Sequence, residues 1–225
     1  MAYKQKSAQV VSEGGTGVGS LTAYTPVCGG TTSTSALQSV ASLGSSTQVF
    51  TSNGAALPSF QAIPSGGGGT TGTLTATTSG TSVNFSGFPS TTKLIIFSMN
   101  NVAADDAGGE FGFQIGDSGG IEATSYLGRT SNATSTQNIW ATYATLSNTA
   151  TITTGSTYVS QIELNLYESS SNTWIISHTT SIVDGTKAMY GVGIKVLSGT
   201  LTQVELIVAT AGDFSAGDVN VLYYE

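Results

Sequence analysis

Gly116-Asp117-Ser118-Gly119-Gly120 sets a serine in a tight, glycine-rich turn beside an aspartate. A nucleophilic serine needs a histidine within hydrogen-bond reach to take its proton and a carboxylate to orient that histidine. The chain has one histidine, His178, which lies after Ser118. The string therefore reads as a hairpin turn between a strand ending at Ile115 and one starting at Ile121, because Asp, Ser and Gly are good turn residues. His178 follows the strand-like Trp174-Ile175-Ile176-Ser177 and reads as a structural or surface residue. Zinc needs three or four His, Cys or acidic ligands, and the chain offers one His and one Cys, Cys28. Asp105, Asp106, Glu110 and Asp117 form the densest acidic cluster, of the oxygen type that hard cations take, but without EF-hand spacing. A solvated loop is the default there, and cation binding stays open. Glycoside hydrolysis needs two carboxyl groups facing one cleft, and among 13 acids no pair is singled out. Gly14 to Gly19 is glycine-rich without the GxGxxG spacing of a dinucleotide site. The reading is a non-enzymatic chain with no catalytic residue, metal site or cofactor.

Binding residues are the better prospect. Tyr126, Trp140 and Tyr143 flank the polar stretch from Thr130 to Asn138, with Arg129 at its start. Rigid amphipathic rings make good contacts for sugars or protein receptors. These four residues are the candidate receptor-binding set, while Trp140 and Tyr143 fit equally well as core residues of a strand.

Such side chains need a scaffold, and the composition says which kind. Charged residues make up 8% of the chain and hydrophobic residues 39%, with Ser, Thr and Gly filling the rest. Thr and the β-branched residues favour strands, and Gly marks turns. The formal net charge is −7, and the six basic residues Lys4, Lys6, Lys93, Arg129, Lys187 and Lys195 form no cluster. Nucleic acid and anionic membrane surfaces are disfavoured as partners. No apolar run is long enough for a membrane span, and Met1 to Val10 lacks the apolar core of a secretory signal.

Charge also divides the chain. From Gly14 to Thr92, 79 residues pass without a charge. Apolar residues recur there too sparsely to enclose a private core, so the segment either buries itself against copies of itself, with no charge to desolvate, or serves as a linker. Leu37, Val40 and Leu43 recur at helical spacing behind Ser/Thr caps and predict a short helix near residues 34–43. Ser52-Asn53-Gly54 predicts a turn. The four glycines Gly66 to Gly69 mark a hinge and set two regions, residues 1–69 and 70–225. After them the texture is strand, turn, strand. Phe111, Phe113 and Ile115 alternate with other residues, as do Ile162, Leu164 and Leu166. Tyr190, Val192, Ile194 and Val196 alternate with Met189, Gly191, Gly193 and Lys195. Such period-two patterns mean half-buried antiparallel strands. About ten short strands with no amphipathic helix point to a C-terminal antiparallel β-sandwich of jelly-roll type, preceded by an extended, irregular N-terminal segment; the fold class is all-β.

The N-terminal elements occur as an ordered series: Gly14-Gly-Thr-Gly17, Leu21-Thr-Ala-Tyr24, Gly29-Gly-Thr-Thr-Ser33, Ala36-Leu-Gln-Ser39, Thr51-Ser-Asn-Gly54 and Pro58-Ser-Phe-Gln-Ala62. This series resembles a module of bacteriophage tail-fibre and related virion proteins, and it covers about the first quarter of the chain. Gly212 to Gly217 with Val219 to Tyr223 looks like the last strand of the heads joined to that module. The resemblance implies a structural virion protein, a fibre or spike subunit located on the tail or capsid surface. Residues 1–69 would attach it to other virion proteins and oligomerise it. The β head would recognise a host surface glycan or protein. Fibres of this kind are homotrimers. A capsid decoration or cement protein and a polysaccharide-degrading spike are the alternatives.

Overall fold

The protein is described from a computed structural model covering residues 17–18, 20–30, 35–54, 56–63, 68–106, 110–132, 137–147, 155–183, 187–210 and 212–225. It divides into two compact units, Met1–Gly66 and Gly67–Glu225, parted inside the tetraglycine run. The described residues contain no helix. The expected all-β class is what the chain adopts.

The first unit holds two small antiparallel pairs. β1 (Val27–Cys28) pairs with β2 (Gln38–Ser39), and β3 (Gln48–Asn53) pairs with β4 (Ala56–Ala62). The Asn53-Gly54 turn falls where the sequence puts it, with Gly54 at φ 67°. The Asn53 amide donates to Leu57 O (2.8 Å) and Ser59 Oγ (2.9 Å), and Phe50 packs on Phe60 at 5.2 Å. The helix expected near 34–43 does not form over residues 35–43; β2 occupies its centre, and the Val40 N–H donates to Pro26 O at 3.1 Å. A segment shorter than ~12 residues is marginal as a helix without tertiary support, and serine hydroxyls compete locally, with Ser42 Oγ accepting the Gly44 N–H at 3.0 Å. Among the described residues of this unit, Val40 alone is buried.

The second unit is a two-sheet sandwich. Its strands are β5 (Thr70–Thr71), β6 (Thr75–Ala76), β7 (Ser82–Ser86), β8 (Leu94–Ala104), β9 (Phe111–Asp117), β10 (Gly120–Ile121), β11 (Leu127–Asn132), β12 (Gln137–Ile139), β13 (Ala144–Thr145), β14 (Tyr158–Glu168), β15 (Thr173–Ile182), β16 (Ala188–Val196), β17 (Gln203–Val208) and β18 (Phe214–Tyr224). The larger sheet runs β12-β11-β16-β15-β14-β8-β18-β5, with β6 beside β18; the smaller runs β10-β9-β17-β7, with β13 beside β9. The chain alternates between sheets through β7, β8, β9 and β11, and again through β16, β17 and β18. Between them β14, β15 and β16 form a meander within one sheet.

The sheets meet through aromatic side chains. Phe97 of β8 contacts Phe85 and Phe113 of the smaller sheet at 5.7 and 5.1 Å. Phe111 of β9 contacts Tyr158 and Phe214 of the larger sheet at 5.3 and 5.9 Å. Offset and edge-on aromatic pairs of this kind add specific geometry to hydrophobic burial. Ile95, Phe97, Ile115, Ile162, Leu164 and Ile176 are all fully buried between the sheets.

One strand faces the opposite way from its pattern. A half-buried β16 would turn Tyr190, Val192, Ile194 and Val196 inward. They are instead exposed, and Met189 and Lys195 are buried. The cause lies in two rings brought from other strands. A Cβ built on Gly193 would stand 2.5 Å from the Trp140 ring, and one on Gly191 would strike His178 and Thr130. Glycines on the inward side leave room for Trp140 and His178, and so the branched side chains point out.

Candidate ligand-binding cleft

A cleft of about 240 Å³ opens beside β12 and β13. It is lined by Glu110, Asn138, Ile139, Ala141, Thr142, Tyr143 and Thr145. Glu110 immediately precedes β9, Asn138 sits in β12 and Tyr143 directly precedes β13. Glu110 Oε1 accepts the Asn138 amide (3.2 Å) and Oε2 accepts the Tyr143 hydroxyl (2.8 Å). The Asn138 amide also donates to Ser147 O (3.3 Å), and Gln114 Nε2 holds the Thr142 carbonyl at 2.9 Å. The Tyr143 ring lies on bare backbone, since a Cβ on Gly112 would come within 2.7 Å of Cδ2. Burial, and then the neighbouring Glu110 carboxylate, push the Tyr143 phenol well above its ordinary range, so it stays a proton donor. A carboxylate has about four acceptor positions, and a carboxylate, an amide and a phenol on one wall suit a ligand rich in hydroxyl groups.

The four candidate binding residues separate. Tyr143 lines the cleft. Arg129 is exposed on β11 and donates from Nη1 to Gln137 Oε1 at 2.5 Å. Tyr126 and Trp140 are 1% and 2% exposed, which corrects the expectation that their rings form a contact surface. The Tyr126 oxygen accepts the Ile115 N–H at 2.7 Å, tying the segment before β11 to β9. Trp140 packs on Gly128 and Gly193. Amphipathic rings beside a polar stretch serve a core as well as a surface, and the small residues across from them decide which. Glu110 and Asn138 were missed as binding residues, although an acid next to Phe111-Gly112-Phe113 was the available signal.

Trp140 and His178 belong to a buried polar chain. Trp140 Nε1–H donates to Thr130 Oγ1 at 2.9 Å, and the Thr130 hydroxyl gives its proton to the Thr145 carbonyl. Thr130 Oγ1 lies 2.9 Å from His178 Nε2, and with its one proton committed it must accept from Nε2–H. His178 Nδ1 is then the acceptor and takes the Thr180 hydroxyl proton at 3.0 Å. The Ser160 hydroxyl in turn donates to Thr180 Oγ1 at 2.8 Å. Burial lowers the His178 pKa from 6.5 to about 4, so the ring is neutral at pH 7. Both ring nitrogens are engaged by threonines, which leaves neither for Ser118.

The Gly116–Gly120 string is a hairpin, with Gly120 opposite Asp117. Asp117 accepts the Gly119 N–H and the Ser198 hydroxyl, each at 2.7 Å, and the Ser198 bond leads in holding its carboxyl below the usual range. Buried Lys195 pairs with Glu122, donates to Val196 O at 2.8 Å and lies 5.6 Å from the Tyr126 ring centre. Burial raises the Glu122 pKa, but Lys195 and Ser198 outweigh it and the net shift is downward. These contacts lock the β9–β10 hairpin to the β16–β17 connection.

The acidic cluster disperses. Asp105 Oδ1 accepts the Asp213 N–H at 2.8 Å, Glu110 faces the cleft and Asp117 faces Ser198. Among the described residues no group of three or more His, Cys, Asp or Glu side chains is placed to hold a metal ion. No helix among them is long and apolar enough to cross a membrane. Compared with protein-family models, curated proteins and solved structures, the chain matches none, and the reading of the cleft stands on its own geometry.

Proposed function

We propose that this chain is a structural, non-enzymatic virion protein, a fibre or spike subunit. Its first unit anchors and oligomerises it, and its second unit is a head that recognises a host surface glycan through the Glu110–Asn138–Tyr143 cleft. The observation that carries this reading is the contrast between the units. The first has one buried side chain among its described residues and no charge between Gly14 and Gly66. The second closes a full aromatic and aliphatic core from its own strands. A nearly coreless, uncharged segment joined by glycines to a self-sufficient sandwich suits an attachment segment that gains its burial from other chains. The ordered N-terminal series and its likeness to tail-fibre modules support the same division.

The cleft gives the head its ligand class. Its volume falls below the ~300–1,000 Å³ of drug-sized pockets and suits one sugar ring. Two ligand hydroxyls donating to Glu110, with Asn138 and Tyr143 alongside, is the arrangement expected for a vicinal diol. The test is a glycan-binding screen of the full chain, with Glu110→Gln and Tyr143→Phe alongside. Retained binding to a glycan by wild type and its loss in E110Q supports the reading. Equal binding by E110Q and wild type overturns the cleft assignment, and imaging that finds the protein inside the particle overturns the host-recognition role.

A further inference from the structure

The outward face of the larger sheet carries an apolar surface that the described residues of the second unit leave open. Leu127 on β11, Ile139 on β12 and Tyr190, Val192, Ile194 and Val196 on β16 are between 39% and 69% exposed. The pairing makes them contiguous: Leu127 is opposite Ile194, Arg129 is opposite both Val192 and Ile139, and Ser131 is opposite Tyr190. Six large side chains at these exposures amount to roughly 500–600 Å² of apolar area, the top of the ~300–600 Å² range for the largest patch on a monomer. With the serines, threonines and two charges among them, the face reaches the ~800 Å² per partner of a standard interface.

Its charges are arranged to match themselves. One row crosses the sheet in register, Arg129, Val192, Ser177, Glu163, Ile96 and Leu222. The rows on either side, from Leu127 to Tyr224 and from Ser131 to Asn220, hold no charged residue. Arg129 and Glu163 are three strands apart, roughly 14 Å at ~4.8 Å per strand, too far to pair within one chain. Glu163, which like Arg129 is exposed, is engaged locally by the Asn165 amide at 2.7 Å. Within these three rows Arg129 and Glu163 are the only charges, one cation and one acid with Val192 and Ser177 between them; Glu168, opposite Thr173 in the row of Val196, and Asp218, opposite Asn100, are further acids toward the ends of the face.

We propose that this face packs against a second copy of the chain, with Arg129 of each copy set against Glu163 of its neighbour. Turning one copy so that the row runs in reverse above itself brings each cation over an acid and centres Val192 and Ser177 on each other, and a closed ring joins the same two ends. The inverted pattern of β16 agrees: its branched residues alternate as a buried strand's do, and a neighbouring copy supplies the burial. A different protein would need matched charges of its own, whereas the match to a copy is already written in one row. The inference is independent of the glycan reading and of association through the first unit.

The test is sedimentation equilibrium of the second unit, residues 67–225, which closes its own core, at low salt, with charge reversals. Wild type associates in the micromolar range or tighter. Arg129→Glu and Glu163→Arg each weaken association at least about tenfold, and the double reversal R129E/E163R restores it to within about threefold, since cross-interface pairs couple this strongly. Val192→Asp with Ile194→Asp weakens it about a hundredfold or more. Should a reversal variant fail to fold, Ser177→Cys reads the same contact, its maleimide labelling slowing as concentration rises. Wild type that stays monomeric at ~100 μM overturns the proposal, as do reversals without effect or a double reversal that rescues nothing. Glycan binding is read separately and can fail or succeed without moving these results.

Discussion

Replacing Thr130 by valine removes the one hydroxyl on which three buried groups converge. The Thr130 oxygen receives the Trp140 indole N–H and the His178 Nε2–H, and its proton goes to the Thr145 carbonyl. Valine has the same shape, so the packing loss is small and the polar loss stands alone. Each unsatisfied buried group costs ~1–3 kcal/mol; at the low end for all three, T130V loses about 3 kcal/mol. For a domain of this size ~1 kcal/mol moves the midpoint by ~2–4 °C, so the thermal midpoint falls by about 6–12 °C. Thr130→Ser keeps the hydroxyl and loses one methyl, about 1 kcal/mol. The assay is guanidinium unfolding of the full chain followed by the fluorescence of Trp140 and Trp174. T130V also brings the Trp140 indole a changed polar environment, visible as an emission shift in the folded state. If T130V lies within 0.5 kcal/mol of wild type, or T130S is as damaging as T130V, the hydroxyl is not the hub of the network.

The same network makes the head acid-sensitive in a defined window. The His178 pKa is about 4 in the fold against 6.5 unfolded, so between those values the unfolded chain holds the extra proton. Stability is full above pH 6.5 and declines as the pH falls toward 4; at ~1.4 kcal/mol per pH unit the loss is about 3 kcal/mol. Denaturation at stepped pH measures it, and His178→Gln flattens that part of the profile. Gly112→Ala pushes a methyl into the Tyr143 ring, so glycan affinity drops at least about tenfold while the unfolding midpoint moves by ~1–2 kcal/mol or less. Lys195→Met removes the cation from Glu122; this half-open pair loses about 2 kcal/mol, less than the ~3–5 of a fully buried one. In that variant the Glu122 pKa rises, which carbon-detected titration reads directly.

Much of this fold can be read from pattern alone, and the exceptions have physical reasons. Ile162 and Leu164 alternate with exposed residues and are buried as a half-buried strand requires, whereas β9 is buried on both faces: Phe111, Phe113 and Ile115 face the core, and Gly112 and Gln114 are covered by Tyr143 and Thr142. The Gly116–Gly120 hairpin follows from turn chemistry confined to five residues. β16 shows where alternation stops. Period two says that two faces differ, not which one is inward, and the decision came from Trp140 and His178, far away in the chain. Ser198-Gly199 sits between two alternating runs like a hairpin turn, yet β16 and β17 lie in different sheets, since sheet membership depends on pairings with distant strands. Asp184-Gly185, a dipeptide that predicts a hairpin turn, lies outside the described residues. Of the four candidate binding residues, Tyr143 alone reaches the cleft. Its partner Glu110 was hidden because its value comes from Asn138 and Tyr143, about thirty residues downstream.

A chain this poor in charge has few means of staying apart from its copies, and its architecture narrows where contact can occur. Exposed backbone at sheet edges invites indiscriminate strand pairing, which short edge strands limit. Here the edges are short: β12 has three residues, β5 two, β10 two and β7 five. The long strands β8, β14 and β15, of 11, 11 and 10 residues, lie inside the larger sheet with both sides paired, and the 11-residue β18 is capped on its outer side by β5 at Leu222 and Tyr223 and by β6 at Asp218 and Val219. Open-ended growth through edges is thus blunted, while one sheet face keeps its apolar residues outward around a row that holds Arg129 and Glu163. In the proposed packing, association through that face saturates once it is covered, because Arg129 and Glu163 of two copies pair reciprocally. Charge reversal at Arg129 and Glu163 is the perturbation that separates the proposed closed assembly of identical chains from nonspecific adhesion of apolar surface.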